Sequence, residues 1–220
     1  MSERHFSSRP TLDRRTAVDL LVSGDLLAIG RMADAVRRQK HPDNRVSFVV
    51  DRNVNYTNVC ESKCRFCAFY RNAGDADAYV LDEEAIYAKI GELVTHDGTQ
   101  LLMQGGLHPE LKIEWFEQLF REIGRRFPSV QIHSLSPAEV IHIAELSGLS
   151  MPDCLARLNA AGLASLPGGG AEILVDDVRR EISPNKIGWQ EWAAVMEEAH
   201  RLGMPTTATM MFGAGKQPEG

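Results

Sequence analysis

Cys60-Glu-Ser-Lys-Cys64-Arg-Phe-Cys67 places three thiols within eight residues, between an apolar run and a regular alternation of strand and helix patterns. The chain has four cysteines in 220 residues. A secreted disulfide framework would spread them along a shorter chain. Clustering of this kind points to metal or redox chemistry instead. Three thiolates in one tight loop can hold three corners of a cubane iron–sulfur cluster. Such clusters usually take four cysteines, so a set of three leaves one iron open. An open coordination position is what a catalytic metal site uses to bind its substrate. Structural zinc is the competing reading, but zinc sites usually combine two pairs of close ligands. The fourth cysteine, Cys154, stands alone and reads as a small buried residue on a helix.

Upstream of this loop, Thr11 to Lys40 reads as two helices broken at Gly24, with Asp25 placed to cap the second. Ile29, Met32, Ala33 and Val36 recur at helical spacing. Val46 to Val50 is β-branched and apolar, as a buried strand would be. Downstream, helical patterns at Asp82–Thr95, Leu111–Phe127, Pro137–Ser147, Pro152–Ala161 and Trp189–Leu202 are expected. Strands are expected at Thr99–Gln104, Val130–Leu135, within Leu163–Val175 and at Thr206–Phe212. This alternation implies an α/β fold with a parallel sheet and helical crossovers. It amounts to about five strand–helix units, an incomplete version of the eight-unit (β/α) barrel. The expected organisation is an N-terminal helical segment over 1–45, the partial barrel over 46–213 and a divergent tail over 214–220.

Composition is that of a globular protein, 44% hydrophobic and 25% charged. A net charge of −6 argues against a general nucleic-acid binder, which normally carries a basic face. No apolar run is long enough to span a bilayer, and Met1 to Pro10 lacks the apolar core of a signal peptide. A cytoplasmic protein is the expectation.

Parallel α/β folds place their sites at the C-terminal ends of the strands, which nominates several residues. Gln104-Gly105-Gly106 ends one strand, where glycine lets backbone approach a ligand. His133, Ser134 and Ser136 end the next. His133 can bind a hydroxyl or carboxylate or transfer a proton, or it is a satisfied core histidine. Pro167-Gly168-Gly169-Gly170-Ala171-Glu172 is costly to order, so a ligand or another stretch of backbone must come close to it. Glu172 can accept from a ribose or an ammonium group. Arg179 and Lys186 can fix carboxylates, while Arg180 reads as solvated.

The stretch from Asn55-Tyr-Thr-Asn-Val-Cys60 through Phe66-Cys67-Ala-Phe-Tyr-Arg71 resembles radical S-adenosylmethionine (SAM) enzymes. Further blocks are Asp51–Cys60, Cys67–Arg71, Gln104-Gly-Gly-Leu-His-Pro109, Leu166-Pro-Gly-Gly-Gly-Ala-Glu-Ile-Leu174 and Ala208-Thr-Met-Met-Phe-Gly213. In combination they resemble the cyclic dehypoxanthine futalosine synthase family of menaquinone biosynthesis. Aminofutalosine synthase and the deazaflavin (FO) synthase subunits are near relatives. The resemblance implies a [4Fe-4S] cluster on Cys60, Cys64 and Cys67 whose open iron chelates SAM. It implies that Phe66 packs against adenine and that Gln104, Gly105, Gly106, Ser134, Glu172 and Arg179 contact SAM. Tyr56, Asn58 and Lys186 are the candidate substrate contacts, and His133, at its strand end, is the candidate catalytic residue. A 5′-deoxyadenosyl radical would take the C4′ hydrogen of the substrate ribose, and the carbon radical would add to the benzoate ring. Reduced flavodoxin or ferredoxin would supply the electron. The family continues after Met-Met-Phe-Gly with a histidine, a glutamate and further strand–helix units. Ala214-Gly-Lys-Gln-Pro-Glu-Gly220 departs from that pattern, and a truncated or frameshifted product is the expectation.

Overall fold

The computed structural model describes residues 12–211 and 213. The chain divides into two compact units with the boundary between Phe48 and Val49, three residues beyond the boundary expected at 45/46. The first unit contributes helices α1 (Arg14–Val22) and α2 (Leu26–Lys40). Each is capped as its sequence requires: the Asp13 carboxylate accepts from Thr16 N and that of Asp25 from Ala28 N. Neither helix has a buried residue, and the α2 stripe at Met32 and Val36 is exposed.

The second unit holds the sheet. Strands β1 (Asp51–Asn55), β2 (Gln100–Gln104), β3 (Gln131–Ser134) and β4 (Leu163–Ser165) lie side by side, all parallel and in sequence order. Helices α3 (Glu83–Thr95), α4 (Ile113–Arg126) and the pair α5 (Pro137–Ser147) and α6 (Met151–Ala161) make the crossovers. Helices α7 (Asp176–Ile182) and α8 (Trp189–Arg201) follow β4. Strand alternation sorts the side chains. Val54, Leu101, Met103 and Ile132 are buried in the core with Ile86, Ile90, Phe116, Phe120 and Ile143 of the helices. The register Asn53↔Leu102↔His133↔Ser165 makes a second row, one position off the core-facing residues. Four described strands and their helices form part of an α/β barrel.

Two expectations change, and one helix is added. The first strand is Asp51–Asn55, not Val46–Val50, whose side chains are exposed. Pairing with Gln100–Gln104 selects the polar stretch, because Asn53 and Asn55 of β1 line a cavity and only Val54 enters the core. Thr206–Phe212 is not a described strand: Thr206 forms a single parallel bridge to Leu166, and Phe212 lies outside the described residues. The turn at Asp176–Ile182 is an additional helix that the sequence pattern did not indicate. The tail over 214–220 lies outside the described residues. Among the described residues, no helix is long and apolar enough to cross a membrane.

Candidate active site

A cavity of about 330 Å³ opens at the C-terminal ends of the strands. The cysteine loop after β1 forms its rim. Backbone bonds hold that loop at several points: Cys60 N donates to Arg71 O at 3.1 Å, Glu61 N to Leu107 O at 3.0 Å and Arg65 N to Ile182 O at 2.9 Å. Lys63 takes a left-handed conformation, φ 47°, that turns the chain into Cys64. All three thiols line the cavity, and Ser62 Oγ lies 3.3 Å from Cys64 Sγ. Phe66, Phe69, Tyr70 and Tyr79 complete an aromatic border.

The floor comes from β2 and the start of α5. Gln104, Gly105, Gly106, Ser136 and Glu139 line it. A Cβ on Gly105 would lie 2.5 Å from the Tyr56 ring, and one on Gly106 would lie 2.1 Å from the Val59 carbonyl oxygen. Both positions therefore require glycine. Ser136 caps α5 with Pro137 in the first turn, and Glu139 follows three residues after the cap. That spacing is a capping-box pattern, but the Glu139 carboxylate turns elsewhere. Its Oε1 accepts from Tyr56 Oη at 2.8 Å and Gly105 N at 3.0 Å; its Oε2 accepts from Ser136 Oγ at 2.6 Å. Burial pushes the Glu139 carboxyl up to about 7, against these three donors and Lys186, which favour the charged form. Burial and the neighbouring Glu139 charge push the Tyr56 hydroxyl well above its ordinary range, so it remains a donor. Leu135, just before, is left-handed at φ 64°, and its carbonyl accepts from Gln104 Nε2 at 3.3 Å. Sequence reasoning passed over Glu139; Ser136-Pro-Ala-Glu139 was the signal that could have found it.

The other expected residues separate. Lys186 lines the cavity, with Nζ 3.2 Å from Glu172 Oε1 and 5.7 Å from the Phe66 ring centroid. Glu172, left-handed at φ 37°, reaches the site through that lysine. Asn58 lines the cavity, but its amide clasps the chain, donating to Asp77 O and accepting from Tyr79 N. Tyr56 is 1% exposed under the floor and holds Glu139, so it is not a substrate contact. Ser134 is also misassigned as a cofactor contact: alternation turns it to the helix side, where it is fully buried and donates to Met103 O. His133 lies one row below the floor, its Nδ1 2.7 Å from Ser165 Oγ, and it does not line the cavity. Burial lowers its pKa, with Asp51 opposing. In this structure it is a half-buried histidine held by Ser165, apart from the cavity lining. Arg179 is spent on backbone, donating to the carbonyls of Gly170, Ala171, Ile173 and Ile187. It staples the glycine-rich turn and is not a cofactor contact. Arg180 pairs with Asp177 on the surface. The triple glycine accommodates backbone: a Cβ on Gly168 would meet Thr207 O at 2.0 Å.

The thiol set suits a cluster with one open iron. Three free cysteines border one cavity, and the fourth, Cys154, is fully buried on α6, its thiol pushed up to about 12 by burial. Among the described residues no three His, Cys, Asp or Glu side chains are grouped to hold a single ion. A cubane takes one thiolate per iron, so its ligands border a space and need not meet at one point. Gly106 lets the floor come against Cys60, where any side chain would collide.

The strand-end cavity with its three cysteines defines a metal-dependent α/β barrel enzyme, and the radical SAM superfamily model matches residues 54–219. The chain belongs to that superfamily, whose members are enzymes that use a [4Fe-4S] cluster and SAM. It is 46% identical over 208 residues to cyclic dehypoxanthine futalosine synthase of Halalkalibacterium halodurans, covering 94% of this chain and 56% of that one. It is 44% identical over 195 residues to 5-amino-6-(D-ribitylamino)uracil–L-tyrosine 4-hydroxyphenyl transferase of Methanothermobacter thermautotrophicus, covering 89% and 53%. The chain thus spans about half the length of the curated relatives it matches. Among solved structures, HydG, a maturase of the [FeFe]-hydrogenase, superposes with TM-score 0.72 at 15% identity, over 96% of this chain and 45% of that one. Methylornithine synthase gives 0.68 at 15% identity, over 92% and 56%. These two likenesses establish the fold alone.

Proposed function

We propose that the chain carries the cofactor half of a cyclic dehypoxanthine futalosine synthase, converting dehypoxanthine futalosine to its cyclic product. The observation that carries this reading is the 46% identity along 94% of the chain. Cluster and SAM together supply one-electron cleavage of a carbon–sulfur bond and hence a hydrogen-abstracting radical. Cys60, Cys64 and Cys67, which line the cavity, would hold the cluster. Gly105 and Gly106 would let backbone come against the methionine portion of SAM, and Phe66 would pack on its adenine. Lys186 is the one cation lining the cavity among the described residues, and it receives a carboxylate. A small-molecule substrate and a low-potential reductant such as flavodoxin or ferredoxin complete the system.

A second reading, an FO synthase subunit, is favoured by the 44% identity to the 4-hydroxyphenyl transferase. Anaerobic incubation of the reconstituted protein with SAM, dithionite and each substrate set separates them. Consumption of dehypoxanthine futalosine with release of 5′-deoxyadenosine supports the cyclase. Turnover of 5-amino-6-(D-ribitylamino)uracil with L-tyrosine instead would replace it.

A further inference from the structure

The floor of the cavity hangs on one side chain. Glu139 is 3% exposed and lines the cavity, yet every bond its carboxylate makes is internal. Gly105 N donates to Oε1 at 3.0 Å. The same oxygen takes the Tyr56 hydroxyl at 2.8 Å, and Tyr56 is the ring that excludes a side chain at Gly105. Ser136 Oγ secures the other oxygen at 2.6 Å, a short, charge-assisted length. Carboxylate, phenol ring and Gly105 amide therefore constrain one another, and Gly106 N, donating to Thr57 O at 3.1 Å, ties the next residue to the start of the cysteine loop. Glycine backbone has little conformational preference of its own, so a neighbour must impose its shape.

We infer that Glu139 is the positioning residue that sets the Gly105–Gly106 backbone to receive SAM, acting through the Gly105 amide and not by contact with the ligand. The inference rests on the radical SAM reading of the cavity. Geometry, not charge, is the operative property. Gln at 139 keeps an oxygen for Tyr56 and Gly105 and turns its amide to Ser136 Oγ. Asp keeps the charge but is one methylene too short to reach Gly105 N.

Two readouts on the whole chain test this. In cofactor-free protein, amide hydrogen exchange at Gly105 should be slow in the native chain and in Glu139→Gln, and at least tenfold faster in Glu139→Asp. In protein reconstituted with iron and sulfide, SAM affinity by equilibrium dialysis should stay within threefold for Glu139→Gln and fall tenfold or more for Glu139→Asp. The SAM-induced change in the electron paramagnetic resonance spectrum of the reduced cluster should survive only in the former. Equal exchange at Gly105 in all three proteins overturns the inference. So does loss of SAM binding in Glu139→Gln with retention in Glu139→Asp, which would make the charge a direct ligand contact. Failure of the native chain to assemble iron and sulfide would count against the cofactor reading, while the exchange result would still decide the role of Glu139.

Discussion

The floor and the rim of the cavity are built on opposite plans. The floor is side-chain bonded and buried: Tyr56, Ser136 and Glu139 are all buried, and two glycines touch a ring and a carbonyl. The rim is backbone bonded and open, with Phe66 46% and Phe69 74% exposed. Main-chain bonds to Arg71, Leu107 and Ile182 fix the path of the loop, which sets Cys60 and Cys67 half-buried and Cys64 buried at the cavity. A thiolate has to be reached by iron, so the loop that presents it must be anchored through groups other than its thiols. A backbone surface for a ligand has no such need and is held from behind.

Substitutions on the two sides should therefore differ in kind. The largest effect is expected at the rim and only on cofactor content. Cys67→Ala should abolish bound iron and the visible absorbance of the cluster after reconstitution, while the thermal unfolding of cofactor-free protein changes little, since Cys67 is only half-buried. A large loss of stability in the cofactor-free variant would break the contrast. The next largest belongs to the floor. Gly106→Ala puts a Cβ 2.1 Å from the Val59 carbonyl oxygen, an obstacle of backbone that cannot rotate away. Overpacking of this kind costs about 1–3 kcal/mol, and the top of that range is expected from urea unfolding.

The Glu139 carboxyl sharpens the comparison through pH. Its folded pKa of about 7 lies above the ordinary 4.5. Between those values the folded chain keeps a proton that the unfolded chain has released, so stability is full below about 4.5 and falls as pH rises to about 7. The span is worth on the order of 3 kcal/mol at most. Unfolding free energies at pH 5 and pH 7 should show that slope in the native chain and a flatter one in Glu139→Gln. The smallest effect is expected at the exposed rim: Phe69→Ala should change unfolding free energy by no more than about 0.5 kcal/mol. A larger change would mean that the aromatic border is part of the structural frame.

Legibility in the sequence followed the range of the interactions. The cysteine loop, the helix cap at Asp25 and most crossover helices were readable, because each depends on neighbours a few residues apart. The first strand was misplaced, since apolarity marked Val46–Val50 while pairing with β2 selected Asp51–Asn55. His133, Ser134 and Arg179 were plausible by residue type and strand-end position. Pleat, register and a nearby backbone turned them to interior or structural work.

Sequence alone determined the metal chemistry and the alternating architecture, because thiol spacing and hydrophobic period are local properties of the chain. Tertiary structure decided which residues share the cavity. Glu139 meets Gly105 across 34 positions and Tyr56 across 83. Only the parallel register that stacks β1, β2 and β3 brings such distant groups within hydrogen-bonding distance, and no local pattern encodes that register.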